Sequence, residues 1–278
     1  MIDQTELRNL LSTAINASVK AGKLIMDVYN SNDFHVNLKS DKTPLTLADR
    51  LAHTEIANSL TQTRIPTLSE EGRNILYEER KGWEYFWLVD PLDGTKEFIK
   101  RNGEFTVNIA LIINGFPILG VIYAPVLGDL YFSLKSEGSY KATSIKPISN
   151  SNLKYEELKL SSAKLPINQK RDKLTVLVSR SHMNQETEEY IKSLEKKYGE
   201  ISYTNCGSSL KMCMIAEGAA DLYPRFGPTW EWDTAAGQAI VEESGCHIVS
   251  MDTNHRLHYN KEEINNPWFI VKAKQEIG

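Results

Sequence analysis

Tyr85-Phe86-Trp87-Leu88-Val89-Asp90-Pro91-Leu92-Asp93-Gly94-Thr95 begins as an apolar run and ends with two carboxylates three residues apart. The run from Tyr85 to Val89 reads as a buried strand. Pro91 has no N–H and is expected to stop ladder pairing, and Gly94 permits backbone geometry that a Cβ resists. Two acids at the mouth of a buried strand repel each other unless a cation lies between them. A hard divalent cation with oxygen ligands meets that need, and magnesium fits it. The plainer reading of Asp-Pro-Leu-Asp-Gly is a surface turn. A solvated turn is an odd continuation of Phe86-Trp87-Leu88-Val89, so the motif is taken as a metal site suited to phosphate chemistry.

Outward from that motif, Phe105, Val107, Ile109, Leu111 and Ile113 alternate with smaller or polar residues, as in a strand with one more deeply buried face. Asn114-Gly115 is a hairpin signal, Pro117 to Ala124 returns as the partner strand, and Asp129 to Leu134 adds another. Upstream, Leu7, Leu11, Ala14, Ile15, Ser18, Gly22, Ile25 and Tyr29 predict one long amphipathic helix with a single buried stripe over Asp3 to Tyr29. A short strand is expected near Val36 to Lys39 and a turn over Ser40 to Pro44. A helix follows from Thr46 to about Leu60, then an extended piece over Pro66 to Leu68, ending at Ser69-Glu70-Glu71-Gly72. Lys141 to Lys173 is polar with little apolar periodicity. The boundary between an N-terminal α+β subdomain (1–160) and a C-terminal α/β subdomain (161–278) is placed there. Beyond it, strands at Leu174 to Ser179, Ala220 to Tyr223, His247 to Val249 and Trp268 to Val271 intersperse with helices at Asn184 to Tyr198, Ser209 to Glu217 and Asp233 to Ser244. Such layering makes an α/β protein with helices covering sheets.

The chain has 278 residues, 41% apolar and 24% charged, with a net charge of −4. It therefore carries no general basic field for a nucleic-acid polymer. An anionic substrate must be met by metal or by a local cluster of cations. Cys206, Cys213 and Cys246 are odd in number and lack metal-ligand spacing, so they read as reduced core residues. The start MIDQTELRNL lacks a signal peptide's basic end and apolar core, and no stretch approaches the ~18 apolar residues of a membrane span. A soluble, cytoplasmic protein is expected.

Glu70, Asp90, Asp93 and Asp233 each end or begin a structured run beside Gly, Pro or a helix start. Asp90 and Asp93 bracket the Leu92 carbonyl, and two or three carboxylates with a carbonyl can hold two magnesium ions. The amides of Gly94 and Thr95 are placed to bind phosphate oxygens if a helix starts at Thr95. Asp233 alone reads first as a helix N-cap, but Ala235-Ala236-Gly237 lets a ligand come close to that helix end. Asp49 alone reads as a helix-surface acid. Paired with Thr95, it would orient and help deprotonate an attacking water. Lys211 and Arg225 read either as ordinary surface cations or, with Ser208 and Ser209, as holders of a phosphate that the metals do not reach. Arg180, Ser181 and His182 are candidates for the same cleft.

Ser69-Glu70-Glu71, Asp90-Pro91-Leu92-Asp93-Gly94-Thr95 and Trp232-Asp233-Thr234-Ala235-Ala236-Gly237, in that order, resemble the signatures of the inositol monophosphatase superfamily. The resemblance covers nearly the whole chain. It implies an αβαβα sandwich of the inositol monophosphatase / fructose-1,6-bisphosphatase type with lithium-sensitive, magnesium-dependent phosphomonoesterase activity. Thr95-Lys96-Glu97-Phe98-Ile99, Gly207-Ser208-Ser209-Leu210-Lys211 and Tyr223-Pro224-Arg225-Phe226-Gly227-Pro228-Thr229 are similar to the 3'(2'),5'-bisphosphate nucleotidases within it. The implied reaction is in-line attack of water on the 3'-phosphate of adenosine 3',5'-bisphosphate, giving AMP and phosphate. The sulfated relative of that nucleotide is a further expected substrate. The implied ligand sets are Glu70, Asp90 and the Leu92 carbonyl for one magnesium, and Asp90, Asp93 and Asp233 for a second, with two or three ions in all. Thr95 and Asp49 would assist the water. Relatives of this type are sometimes placed at the cytoplasmic face of the inner membrane, although no basic amphipathic helix here explains that. Three rivals stand beside this reading. A haloacid-dehalogenase phosphatase would use a nucleophilic aspartate, but its acids are two residues apart. An inositol or fructose phosphate is the rival substrate within the superfamily. The last rival is a silent nucleotide-binding protein.

Overall fold

The computed structural model describes residues 2–31, 37–38, 44–167, 172–178 and 184–274. Of the turn expected over Ser40 to Pro44, all but Pro44 lies outside the described residues, as do Arg180, Ser181 and His182; Pro44 belongs to a short strand.

In chain order the first half runs α1 (Gln4–Tyr29), β1 (Asn37–Leu38), β2 (Pro44–Leu45), α2 (Leu47–Thr61), β3 (Thr67–Ser69), α3 (Tyr77–Arg80), β4 (Tyr85–Asp93) and α4 (Thr95–Ile99). It continues with β5 (Thr106–Ile113), β6 (Phe116–Ala124), β7 (Asp129–Leu134), β8 (Gly138–Ala142), α5 (Tyr155–Ser161) and β9 (Ala163–Lys164). The second half is β10 (Thr175–Val178), α6 (Gln185–Tyr198), β11 (Ser202–Asn205), α7 (Leu210–Ala216), β12 (Leu222–Arg225), α8 (Glu231–Glu243), β13 (His247–Ser250) and β14 (Phe269–Lys272). A seven-stranded sheet has the order β3-β4-β5-β6-β7-β8-β9, and a five-stranded sheet the order β11-β10-β12-β14-β13. The chain passes from the first sheet to the second between Lys164 and Thr175.

Asp3 caps α1 by accepting the Glu6 N–H at 2.8 Å. The helix buries more than one stripe: Leu10, Ala17, Val19, Ala21 and Val28 are buried along with Leu7, Leu11, Ile15 and Ile25. The reason is that α1 lies between α2, α5 and one face of the large sheet, in one apolar cluster with Val89, Val107, Val121 and Phe132. Gly22 lets it sit down on that sheet, since a Cβ there would fall 2.5 Å from the Tyr123 ring.

On the opposite face, α7 and α8 fill the space between the two sheets, joining Phe86, Leu88 and Ile122 to Val271 and Ile248. Helix α6 covers the outer face of the small sheet through Ile191 and Leu194 against Leu174 and Val176. The layers therefore run αβαβα. Lys141, on the large sheet, bonds Asp129 at 2.8 Å and Glu217, just beyond α7, at 2.9 Å, and Tyr131 also donates to Glu217.

The Asn114-Gly115 hairpin forms as expected, with both residues at positive φ (52° and 78°). Pro91 does not end the strand. Pairing runs from Asp90↔Asn108 to Asp93↔Thr106, with one extra residue on β4, so the proline sits in a bulge and the ladder resumes beyond it. The polar stretch after Lys141 also contains α5 and β9, which its composition did not signal.

Candidate active site

The bulge carries the two acids of β4, Asp90 and Asp93, to the same end of the sheet. Asp90 is 1% exposed, and its Oδ1 accepts the Leu92 N–H at 3.0 Å, which closes the bulge. Strand β3 lies parallel to β4 with Ser69 opposite Val89, and the Glu70 N–H donates to the Val89 carbonyl at 3.1 Å. Glu70 is thereby delivered beside Asp90. Asp233 arrives from α8. That helix starts two residues earlier than expected, so Asp233 is not its N-cap. It stands in the first turn, and its Oδ2 accepts the Trp230 N–H at 2.9 Å.

Burial, and then the charges of Glu70, Asp93 and Asp233, push the Asp90 carboxyl well above its ordinary range. A hydrogen bond to the Glu70 side chain acts in the same direction. Asp233 is also pushed well up, first by burial and then by Asp93, while the Trp230 N–H and the Arg225 charge oppose the rise. Among the described residues no three acidic, histidine or cysteine side chains are already gathered tightly enough to enclose an ion. The donor set nevertheless fits a hard cation. Four carboxylates act on one another across a buried space, and their electrostatic cost is the one a divalent ion removes. Glu70, Asp90, Asp93, Asp233 and the Leu92 carbonyl are the groups that could hold it.

Asp49 is not a surface acid. It is 2% exposed in the first turn of α2, where its Oδ2 accepts the Thr46 N–H at 2.7 Å and the Thr46 hydroxyl at 2.5 Å. Its Oδ1 faces the Thr95 hydroxyl at 3.2 Å, and that hydroxyl also lies 3.4 Å from the Leu92 carbonyl. Thr95 opens α4 directly after Gly94, whose φ of 92° is left-handed. A Cβ on Gly94 would also approach the Glu104 carbonyl at 3.2 Å and the Ser208 Cβ at 3.3 Å, so glycine serves there both for conformation and for closeness.

The loop before α7 closes over this turn. The Gly207 N–H donates to Glu104 Oε2 at 2.8 Å, and Ser208, at a positive φ of 45°, brings its hydroxyl 3.4 Å from that of Thr106. Lys211 and Ser209 differ from their expected placement. Lys211 is 6% exposed and donates to the Cys206 carbonyl at 3.0 Å and the Ser208 carbonyl at 2.8 Å, so it straps the loop. Ser209 turns inward, its hydroxyl 2.6 Å from Asp93 Oδ2. Arg225 is half-buried, gives one N–H to the Pro228 carbonyl at 3.0 Å, and leaves its buried Nε without a partner.

Sequence reasoning passed over Asn108, which is 1% exposed and donates to Ser209 Oγ at 2.8 Å, and Thr106, whose hydroxyl bonds Asn108 Oδ1 at 2.9 Å. The signal was present, since an asparagine between Val107 and Ile109 is a polar group on a buried strand and must find partners. His53 was also missed. Its Nδ1 lies 2.9 Å from the Ser69 hydroxyl, one residue before Glu70.

The model of the inositol monophosphatase family matches residues 6–276. Among curated proteins, the 3'(2'),5'-bisphosphate nucleotidase CysQ of Salmonella typhimurium and that of Escherichia coli (strain K12) are each 42% identical over 265 residues. That span is 94% of this chain and 99% of theirs. The crystal structure of CysQ from Bacteroides thetaiotaomicron superposes with a TM-score of 0.89 at 47% identity, covering 97% of this chain and 98% of that one. The inositol monophosphatase of Anabaena shares the fold at a TM-score of 0.67 and 21% identity, over 98% and 93% of the two chains.

Proposed function

The chain belongs to the inositol monophosphatase family, and from that premise we propose a 3'(2'),5'-bisphosphate nucleotidase that converts adenosine 3',5'-bisphosphate to AMP and phosphate, with the sulfated nucleotide as a further substrate. The observation that carries the reaction is the convergence of Glu70, Asp90, Asp93 and Asp233 beside an Asp49–Thr95 hydrogen bond. The substrate follows the CysQ relatives, matched over almost their whole length. Family enzymes are metal-dependent, generally on magnesium, and two or three ions are proposed here. The division into residues 1–160 and 161–278, and a cytoplasmic setting, belong to the same proposal. Among the described residues no helix is long and apolar enough to cross a membrane.

Glu70, Asp90, the Leu92 carbonyl, Asp93 and Asp233 would hold the magnesium. When bound, it supplies charge neutralisation for the phosphate and acidification of water. The protein's own groups do the rest. Thr46 anchors one oxygen of Asp49, so the other is aimed at Thr95. The Thr95 proton then points at Asp49, and the lone pairs of its oxygen accept a hydrogen bond from the incoming water; as the water gives up its proton to the threonine, the threonine's own passes to Asp49 Oδ1. The Gly94 and Thr95 amides face the cleaved phosphate. Ser208 and Arg225 meet the phosphate that stays, with Lys211 holding the Ser208 loop in shape.

Phosphate release from adenosine 3',5'-bisphosphate with magnesium, with and without lithium and beside inositol 1-phosphate, tests the reading. Rapid lithium-inhibited release from the nucleotide and slow release from the inositol ester are expected. A preference for inositol 1-phosphate would replace the substrate while leaving the chemistry standing.

A further inference from the structure

Building on the metal-site reading above, we propose that Ser209 and Asn108 are positioning residues that make Asp93 a single-oxygen ligand. Four side chains form a directed series of hydrogen bonds. The Thr106 hydroxyl donates to Asn108 Oδ1 at 2.9 Å, Asn108 Nδ2 donates to Ser209 Oγ at 2.8 Å, and Ser209 Oγ donates to Asp93 Oδ2 at 2.6 Å. Thr106, Asn108 and Ser209 are all at most 3% exposed, so water does not compete.

The shortest contacts set the order of donation. Thr106 takes the amide oxygen of Asn108 and so turns its NH2 toward Ser209. That NH2 fills a lone pair on the serine, whose one proton then has Asp93 Oδ2 as its short acceptor. Each bond polarises the next, and the last is charge-assisted, in keeping with its 2.6 Å length. Asn108 Nδ2 also lies 3.4 Å from Asp93 Oδ2, so the same oxygen is approached twice while Oδ1 is left for the cation. Ser209 Oγ is in addition 3.1 Å from the Asp233 carbonyl. One hydroxyl thus lies between the Asp93 carboxylate of β4 and the Asp233 main-chain carbonyl of α8. A serine serving the second phosphate would present its hydroxyl to the cleft instead.

Calorimetric titration of magnesium into the substrate-free protein reads this directly. Ser209→Ala is expected to weaken magnesium binding by about 10–100-fold, the usual effect of removing a group that orients a ligand. Its KM for adenosine 3',5'-bisphosphate at saturating magnesium should stay that of the wild type. Asn108→Leu, close in volume, should weaken magnesium binding in the same direction but less, and it decides the matter if Ser209→Ala does not fold. Wild-type magnesium affinity in the folded variants overturns the proposal. So does a raised KM with magnesium affinity intact, which would make Ser209 a substrate donor. If the wild-type protein itself neither binds magnesium nor releases phosphate, the functional reading fails first and takes this one with it.

Discussion

Both oxygens of Asp49 are committed, Oδ2 to the N–H and hydroxyl of Thr46 and Oδ1 to the hydroxyl of Thr95. An asparagine in its place has one acceptor where the aspartate has two. If that acceptor stays with Thr46, the NH2 faces Thr95 and donates to it, which reverses the threonine's proton and removes its ability to receive one from water. Asp49→Asn is therefore expected to lower kcat by about 10²–10⁴-fold, the range for loss of general-base assistance. Because the cap to Thr46 survives, urea unfolding should show a loss of only about 1 kcal/mol. A kcat within tenfold of wild type would remove Asp49 from the reaction. The residue types at the site were legible because carboxylates bordering apolar runs need a cation. The burial of Asp49 and Lys211 was not, since whether an acid near a helix start or a lysine on a helix is covered depends on what packs over it from distant sequence.

Helix α8 shows the same limit at the scale of an element. A helix over Asp233 to Ser244 was legible, but its start was not. Glu231, with no exposed surface, is drawn into the fold by the N–H groups of Asn260 and Lys261 at 2.8 and 3.0 Å and by the Lys261 ammonium at 2.6 Å. Those partners lie about thirty residues away, beyond the reach of any local pattern. The Asn114-Gly115 hairpin, by contrast, is specified by two adjacent residues, and α5 went unseen because only Tyr155 and Leu158 of its seven residues are buried. Helix α8 rests on β6 at Gly120, where a Cβ would fall 2.4 Å from the Ala236 carbonyl and 2.8 Å from the Ala239 Cβ. Backbone cannot move aside as a flexible side chain can. Gly120→Ala should cost about 1–3 kcal/mol in urea unfolding. It should also weaken magnesium binding, because the displaced helix carries Asp233. Wild-type stability would show that the helix and sheet are less closely seated than these distances require.

At the scale of the whole molecule, the acids come from separate layers, Glu70, Asp90 and Asp93 from the large sheet and Asp233 from the helix between the sheets. Folding without metal therefore assembles like charges. The carboxyls of Asp90 and Asp233 bind protons more tightly folded than unfolded. Below the ordinary carboxylate range, near pH 4, both states hold those protons and the site costs nothing. As pH rises, the unfolded chain releases its protons first, the folded chain resists, and stability falls until the folded carboxyls also ionise. Each tenfold difference in proton affinity between the states is worth about 1.4 kcal/mol. Magnesium acts oppositely, since it binds the deprotonated folded site, and at about 100 times its dissociation constant adds about 2.7 kcal/mol. In a chelator, urea unfolding should show Asp90→Asn gaining on the wild type between about pH 5 and pH 8, and more stable than it at the upper end. The asparagine keeps the acceptor for the Leu92 N–H while removing the charge. With magnesium present the order should reverse, because only the wild type is stabilised by the ion. If Asp90→Asn is the less stable protein at pH 8 in chelator, the carboxylate is contributing to the metal-free fold, and the assembled acids are not the strained cluster that a divalent cation relieves.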